Sequence, residues 1–238
     1  MNSRPRTTAL VALNVAVFAA MTLTGISPLD PSPADLLKWG ANFGALSLGS
    51  QPWRLLVSNY VHVGIIHIGF NMWCLWSLGL ICERIFDPWT YLLVYTACGV
   101  SGSLASVWWH PSAVGVGASV AIFGLAGALI TALYFGNLPV PKAAIKGTLK
   151  SLLSFAGYNL LFGALIPGID NFAHVGGLVA GLAIGAALAP GLTAPREERE
   201  ARRLGVFVAV AIALMLVFSV VKYGRGTAAP GTQTDPVK

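Results

Sequence analysis

Residues 62–73, HVGIIHIGFNMW, decide the fold class of this chain, because they place polar side chains inside a long apolar run. The polar residues are His62, His67 and Asn71. The surrounding segment, 57–81, has the roughly twenty residues that an apolar helix needs to cross a bilayer. Strongly polar side chains at such depth are costly and usually mark function. The stretch therefore predicts a membrane helix that contributes to a site.

The spacing of these polar residues limits what they can do together. His67 and Asn71 are four residues apart and share one helical face, whereas His62 is displaced from His67 by roughly 140° on a continuous helix. A metal or proton site is one alternative, but no carboxylate accompanies the histidines and metal sites usually recruit more ligands. The three cysteines form no CxxC pair and no His/Cys metal spacing. We therefore expect no metal site, and no organic cofactor is implied either.

The composition excludes an ordinary water-soluble protein. Of the 238 residues, 55% are hydrophobic and 10% are charged, whereas soluble domains carry about 25% charged residues. The formal net charge is +6, which in a soluble protein would point to nucleic acid. Here the basic residues flank apolar segments, as in membrane topology. We expect the lipid bilayer as a partner and no nucleic acid.

Seven segments are apolar and long enough to cross the membrane, which predicts an all-α, polytopic helix bundle. Their predicted bounds are 8–26, 57–81, 89–109, 117–136, 148–166, 172–190 and 204–222. The first is expected to be an uncleaved span rather than a signal peptide. The loop 27–56 is expected at the membrane interface, where its tryptophans suit the headgroup layer. Ten basic residues on one side against five on the other predict a cytoplasmic N-terminus and an external C-terminus.

Two further polar residues lie at the same predicted depth as the second segment's site. Ser119 opens the fourth segment, and His174 lies about one turn inside the sixth. Gly177 and Gly181, with Gly185, form a small-residue stripe that lets another helix approach closely. Alone, such a serine usually bonds its own helix, and such a histidine is often a packed imidazole. Together, a serine, a histidine and nearby donors match the requirements of serine acyl transfer.

The motifs as a set resemble those of the rhomboid intramembrane serine proteases. The matching stretches, within about residues 53–188, are WR at 53–54, HVGIIHIGFNMW at 62–73, ER at 83–84, GASVAIFG at 117–124 and AHVGGLVAGL at 173–182. The resemblance implies six core helices around a water-filled cavity open to the outer side, with one extra C-terminal helix. The expected division is a rhomboid-like core at 1–190, a basic linker and seventh helix at 191–222, and a disordered tail at 223–238.

The resemblance also implies roles for individual residues. Ser119 would be the nucleophile and His174 the general base of a dyad. Asn71 and His67 would donate to the oxyanion, together with the N–H of Ser119 and, as a further candidate, that of Ala118. His62 would support the site without taking part in the chemistry. Gly117 would keep the approach to the nucleophile narrow, and the Phe123 ring would pack on the catalytic imidazole.

Two further residues lie near the predicted nucleophile and base. Val120 stands where the family usually has glycine, so we expect it to narrow the site, and we expect Val120→Gly to keep or raise activity. Asp170 lies four residues before His174, within reach of a triad, but an N-cap role for Asp170 or Asn171 is favoured.

The predicted substrates are transmembrane segments of other proteins, cleaved in a bacterial cytoplasmic membrane. A catalytically weak or inactive rhomboid-like protein that binds membrane clients is the main alternative, although such a protein should lack Ser119 or His174. A small transporter is the other alternative, but it would tend to show membrane carboxylates or interrupted paired helices.

Overall fold

The computed structural model describes residues 5–226 as a bundle of α-helices. Its ten helices are α1 Pro5–Leu23, α2 Pro33–Lys38, α3 Gly44–Ser47, α4 Arg54–Val57, α5 Ile65–Ile85, α6 Pro88–Trp109, α7 Ser119–Phe135, α8 Lys142–Leu165, α9 Asn171–Leu188 and α10 Arg196–Gly226. Within this range there is no β-strand, only an isolated bridge between Asn42 and Gly115. The predicted all-α class is confirmed.

Each of the seven predicted spans corresponds to a helix of 17 residues or more. Five of them, α1, α5, α6, α9 and α10, are long and apolar enough to cross a membrane. The apolar α7 is shorter, with 17 residues, and α8 begins with three lysines in its first nine residues. The molecule is a multi-pass membrane protein.

Several predicted bounds were wrong. Helix α5 begins at Ile65 rather than 57, because Gly64 before it takes a positive φ of 84° that favours glycine. Helix α8 starts earlier than predicted, at Lys142, and α10 starts at Arg196. Residues 223–226, predicted as part of a disordered tail, continue α10. The rest of that predicted tail, 227–238, lies outside the described residues.

The predicted interfacial loop 27–56 is folded onto the bundle. It contains α2, α3 and the start of α4, and its arginine is buried within the protein. Arg54 is 6% exposed, and its Nη1 donates to the carbonyls of Leu37 and Ala41 at 2.7 and 3.0 Å. Trp53, by contrast, is half exposed. The loop is therefore held by a charged side chain inside it.

Helix α7 is the centre of the bundle, with twelve buried residues along its 17. It meets α9 along a line that we call the α7–α9 seam. A Cβ added at Gly177, Gly181 or Gly185 of α9 would overlap a backbone carbonyl oxygen of α7. The predicted close approach along this glycine stripe is therefore present. Because backbone touches backbone, the two helices have little room to shift.

Helix α10 lies at the edge of the bundle and makes a different kind of contact. Val221 is its only buried residue among those whose side chains are described. Val206, Val210 and Leu214 are partly buried and pack against the main core. This helix therefore joins the bundle through side chains rather than through backbone contact.

Candidate active site

Ser119 and His174 are joined by a hydrogen bond across the α7–α9 seam. Ser119 Oγ lies 2.8 Å from His174 Nε2. Ser119 is the first residue of α7 and His174 the fourth of α9, so both side chains lie at the same end of the seam. The close approach of the helices fixes the position of both backbones.

The plane of the His174 ring is fixed by aromatic stacking. Phe123, one turn after Ser119, stacks on the imidazole with ring centroids 4.5 Å apart and an interplanar angle of 11°. The Phe123 ring also contacts Phe155 of α8, with the two ring centroids 5.5 Å apart. Phe123 is almost fully buried. The ring contact expected for Phe123 is therefore present, and it holds Nε2 toward the serine.

Asp170 acts as a helix cap. Its Oδ1 accepts a hydrogen bond from the Ala173 N–H at 3.0 Å, at the start of α9. His174 Nδ1 is buried and has no hydrogen-bond partner in residues 5–226, and the same is true of Asp170 Oδ2. The N-cap role favoured from the sequence is thus the geometry observed, and no hydrogen bond links Asp170 to the imidazole.

Two donors on α5 lie against the residues that precede Ser119. A Cβ added at Gly117 would be 2.8 Å from His67 Nε2 and 3.4 Å from Asn71 Nδ2. Gly117 also has a φ of 116°, which few other residues adopt. Asn71 is 5% exposed, and its Nδ2 has no partner in the described part of the chain. A buried donor without a partner costs about 1–3 kcal/mol, so this amide has the capacity to donate to an acceptor.

His62 lies outside the helix that carries His67. It precedes α5 and is fully buried, and its Nε2 accepts a hydrogen bond from the Ala118 N–H at 3.3 Å. The other ring nitrogen lies 3.3 Å from the Tyr60 carbonyl oxygen and therefore carries the proton. The prediction that His62 lies on the same helix as His67 was therefore wrong. The Ala118 N–H, a candidate oxyanion donor, already donates its hydrogen bond to His62.

The segment before Ser119 is held at two further points that the sequence did not reveal. Asn42 exchanges two backbone hydrogen bonds with Gly115, at 2.8 and 2.9 Å, and the Gly117 N–H donates to the Ser58 carbonyl at 2.9 Å. Asn42 and Ser58 are both buried. The sequence carries no signal for these contacts, because backbone groups far apart along the chain make them.

Val120 does not crowd the serine hydroxyl. Its Cγ1 occupies the space where Gly102 of α6 would have a Cβ, and it also lies beside Gly177 of α9. The side chain is 8% exposed and fills the junction of three helices. The expectation that Val120 narrows the reactive site was therefore wrong.

The arrangement brings together a hydroxyl, an imidazole oriented by packing, and donors beside them. A hydroxyl bonded to a neutral imidazole can transfer its proton to that imidazole as it attacks a carbonyl. Donors near the nucleophile can then hold the negative oxygen that forms. Among the described residues, no three His, Cys, Asp or Glu side chains are close enough to hold a metal ion.

Known proteins resemble this chain over most of its length. Residues 49–191 match the Rhomboid domain family. The chain is 36% identical over 190 residues to Rhomboid protease GluP of Bacillus subtilis, covering 79% of this chain and 36% of that protein. It is 31% identical over 233 residues to Rhomboid protease AarA of Providencia stuartii, covering 89% of this chain and 81% of that protein.

A third relative is named as inactive. The chain is 32% identical over 164 residues to Inactive RHOMBOID-like protein 8 of Arabidopsis thaliana, covering 68% of this chain and 46% of that protein. The chain thus spans about a third of GluP and about half of the plant protein, but most of AarA.

Proposed function

The chain belongs to the rhomboid family, and on that premise we propose that it is an intramembrane serine protease with Ser119 and His174 as its catalytic dyad. The observation that carries the proposal is the hydrogen bond of 2.8 Å between Ser119 Oγ and His174 Nε2. An inactive client-binding relative would have no need of this pair. Both residues are present here and are held in contact by the α7–α9 seam.

In the proposed first step, Ser119 Oγ attacks the carbonyl carbon of the scissile peptide bond. His174 Nε2 accepts the hydroxyl proton, and the carbonyl becomes a tetrahedral oxyanion. His174 then gives this proton to the leaving amine, and the C–N bond breaks to leave an ester on Ser119. A water molecule, deprotonated by His174, hydrolyses the ester and restores the serine.

The oxyanion would be held by groups that have no other partner. Asn71 Nδ2 is a buried free donor, and His67 lies beside it against Gly117. The N–H of Ser119, at the first position of α7, has no carbonyl of its own helix to pair with. His62 supports the site indirectly, because it fixes Ala118 just before the nucleophile.

The proposed substrate is the transmembrane segment of another protein. Peptide hydrolysis needs water, and the dyad at the helix ends lies where a water-filled cavity can reach it. A substrate helix must unwind locally, because its carbonyls are otherwise bonded within the helix. We expect small residues at the cut and helix-weakening residues beyond it. No metal or organic cofactor is part of the proposed mechanism.

The test is reaction with a fluorophosphonate probe, followed by mapping of the labelled residue. The parent protein and Ser77→Ala, which changes an exposed serine bonded to its own helix, should both be labelled at Ser119. Ser119→Ala should not be labelled, and Ser119→Ala and His174→Ala should each lose on the order of 10⁴–10⁶ in turnover of a reconstituted transmembrane substrate. Labelling of another serine, or substantial turnover by Ser119→Ala, would remove the dyad from the mechanism.

We also propose that the protein lies in a bacterial cytoplasmic membrane with its N-terminus inside and its C-terminus outside. The basis is the excess of Lys and Arg in the connections on one side. An impermeant maleimide should label Ser112→Cys in intact cells, because residue 112 follows α6 at the dyad end. Glu198→Cys should react only after lysis. The reverse pattern would show the opposite orientation.

A further inference from the structure

A second polar feature lies at the opposite end of the bundle from Ser119 and His174. A cavity of about 50 Å³ is enclosed by the corner between α5 and α6, the end of α9 and the first turns of α10. One water molecule needs about 10–15 Å³, so several polar atoms fit. Its polar lining consists of Arg199, Arg202, Arg203, Asp87 and Thr90. We call it the basic cavity.

The one carboxylate of the basic cavity is fully used. Burial alone would raise the pKa of Asp87, but hydrogen bonds from Thr90 and Arg203 hold it below its usual value. Asp87 Oδ1 caps α6 and pairs with Arg203 Nη1 at 2.9 Å. Its Oδ2 accepts from the Thr90 hydroxyl at 2.6 Å. Asp87 therefore neutralises Arg203 alone.

The other two arginines form no ion pair with a described residue. The Arg199 guanidinium forms no hydrogen bond or ion pair with any described residue. Arg202 makes one long hydrogen bond, 3.4 Å, to the Ala187 carbonyl, and its stem packs on Gly191. Packing thus holds Arg202 in place without neutralising it. Two positive charges remain at the edge of the cavity.

The three cavity arginines share one face of α10. At 100° per residue they fall within an arc of about 100°, with Glu198 and Glu200 flanking it at about 40° from Arg202 and about 60° from Arg203, and Glu197 on the opposite side. Glu200 is already paired, with Arg196 at 2.8 Å. Glu198, one turn before Arg202, forms no ion pair with it in the described structure. The excess positive charge therefore belongs to the face that meets the bundle.

A depression adjoins the basic cavity at Arg202 and has a volume of about 560 Å³ between the end of α9 and the start of α10. Its lining is mostly small and apolar, with Ala187, Ala201 and Gly205 among it, and its one carboxylate is that of Glu198. A Cβ at Gly205 would meet nothing within 4 Å. A ligand with a phosphate at the arginines would have space for an apolar part beside α10. Arginine binds phosphate oxygens in pairs, and basic pockets between membrane helices suit lipid headgroups.

We propose that the basic cavity and this depression bind an anionic phospholipid of the adjoining leaflet, with its phosphate held by Arg199 and Arg202. The lipid would bridge α9 and α10 and stabilise the docking of α10. This site is remote from the dyad, so it stands apart from the proposed protease activity.

The test uses the full-length protein in nanodiscs of phosphatidylcholine with increasing phosphatidylglycerol, with bound lipid counted by native mass spectrometry. The parent should prefer phosphatidylglycerol. Arg199→Gln/Arg202→Gln should bind it about 25-fold more weakly or worse, because each guanidinium held against the phosphate contributes at least the roughly fivefold of a basic residue near an anionic surface. The matched control is Arg196→Gln/Lys146→Gln, which removes the same charge at the same end of the bundle but no contact to the phosphate, so its loss should be clearly smaller.

Four results would overturn the proposal. They are no preference of the parent for phosphatidylglycerol, unchanged binding by the double variant, an equal loss in the control, and full thermal stabilisation by inorganic phosphate in neutral lipid. The last would identify free phosphate as the ligand. If the double variant misfolds, Arg199→Gln alone gives the answer, because its guanidinium has no partner to lose. It should then weaken binding about fivefold.

Discussion

The α7–α9 pair and α10 show two ways of holding a helix in this bundle. Along the α7–α9 seam, glycines bring backbone against backbone, and the hydrogen bond between Ser119 and His174 closes one end of it. Helix α10 rests on the bundle by a few apolar side chains and the ion pair of Arg203 with Asp87, with only Val221 buried among its described side chains. Ser119 and His174 thus lie where the close contact of two backbones leaves little room for movement. Helix α10, at the edge, is less tightly constrained by its neighbours.

The largest expected effect comes from placing a valine at the seam. Gly181→Val would drive side-chain atoms into the Gly124 backbone, so its cost should be at least the roughly 3 kcal/mol of severe overpacking. This corresponds to a fall of about 6–12 °C in Tm for a chain of this size. Thermal unfolding in neutral detergent and probe labelling of Ser119 should both show the loss.

Gly205→Val on α10 is the matched control for that substitution. A Cβ there meets nothing within 4 Å, so the free energy of unfolding should change by less than about 0.5 kcal/mol. Equal destabilisation by the two valines would end the contrast between the seam and the edge helix.

The donors on α5 should matter for catalysis rather than for the seam. Asn71→Ala and His67→Ala should each lower kcat by about 10²–10³ or less, because the Ser119 N–H remains. Tm should stay near that of the parent. Turnover of one substrate at matched folding is the measurement, with His174→Ala as reference. If Asn71→Ala were as inactive as His174→Ala, the oxyanion role would be misassigned.

The substitution Val120→Gly tests whether Val120 crowds the reactive site or stabilises the packing of α7 against α6 and α9. The sequence predicted that it keeps or raises activity, but the structure predicts the reverse, since Val120 fills the junction with Gly102 and Gly177. The lost burial of about 1.5–3 kcal/mol and a glycine penalty of about 0.5–1 kcal/mol together give about 2–4 kcal/mol. The exposed Val217→Gly on α10 should show only the glycine penalty. A more active, equally stable Val120→Gly would restore the crowding hypothesis.

The smallest effect on the chemistry is expected from removal of α10. Truncation after Arg203 leaves every residue of the proposed mechanism in place, so some turnover should remain. Tm should fall, because the apolar contacts of Val206 and Val210 with the core are lost. The readouts are probe labelling and cleavage on the folded fraction. A truncated protein that binds probe normally yet cleaves nothing would assign α10 a part in substrate handling.

Much of the fold could be predicted because apolarity is a local property of the chain. Each predicted span contains a helix, but apolarity does not distinguish helix from other buried backbone. Residues 57–64 are mostly apolar and buried, yet α5 starts only after Gly64. The burial of Arg54 could not be foreseen either, because its acceptors, the carbonyls of Leu37 and Ala41, are 17 and 13 residues away.

The site was predictable where the motifs carry fixed spacing. Phe123 is one turn from Ser119, and its ring contact with His174 follows once α7 and α9 meet. The hydrogen bond between His62 and Ala118 joins residues 56 apart, and the direction of Val120 depends on how α7 is rotated against α6. Neither property is encoded in a local pattern.

The distance of 55 residues between Ser119 and His174 along the chain has a consequence for synthesis. A ribosome adds about 5–20 residues per second, so the serine is made roughly 3–11 s before its partner. Under the proposed mechanism, the growing chain carries a nucleophile without its base during that interval. Proteolytic capacity would then begin only after α9 has entered the membrane beside α7.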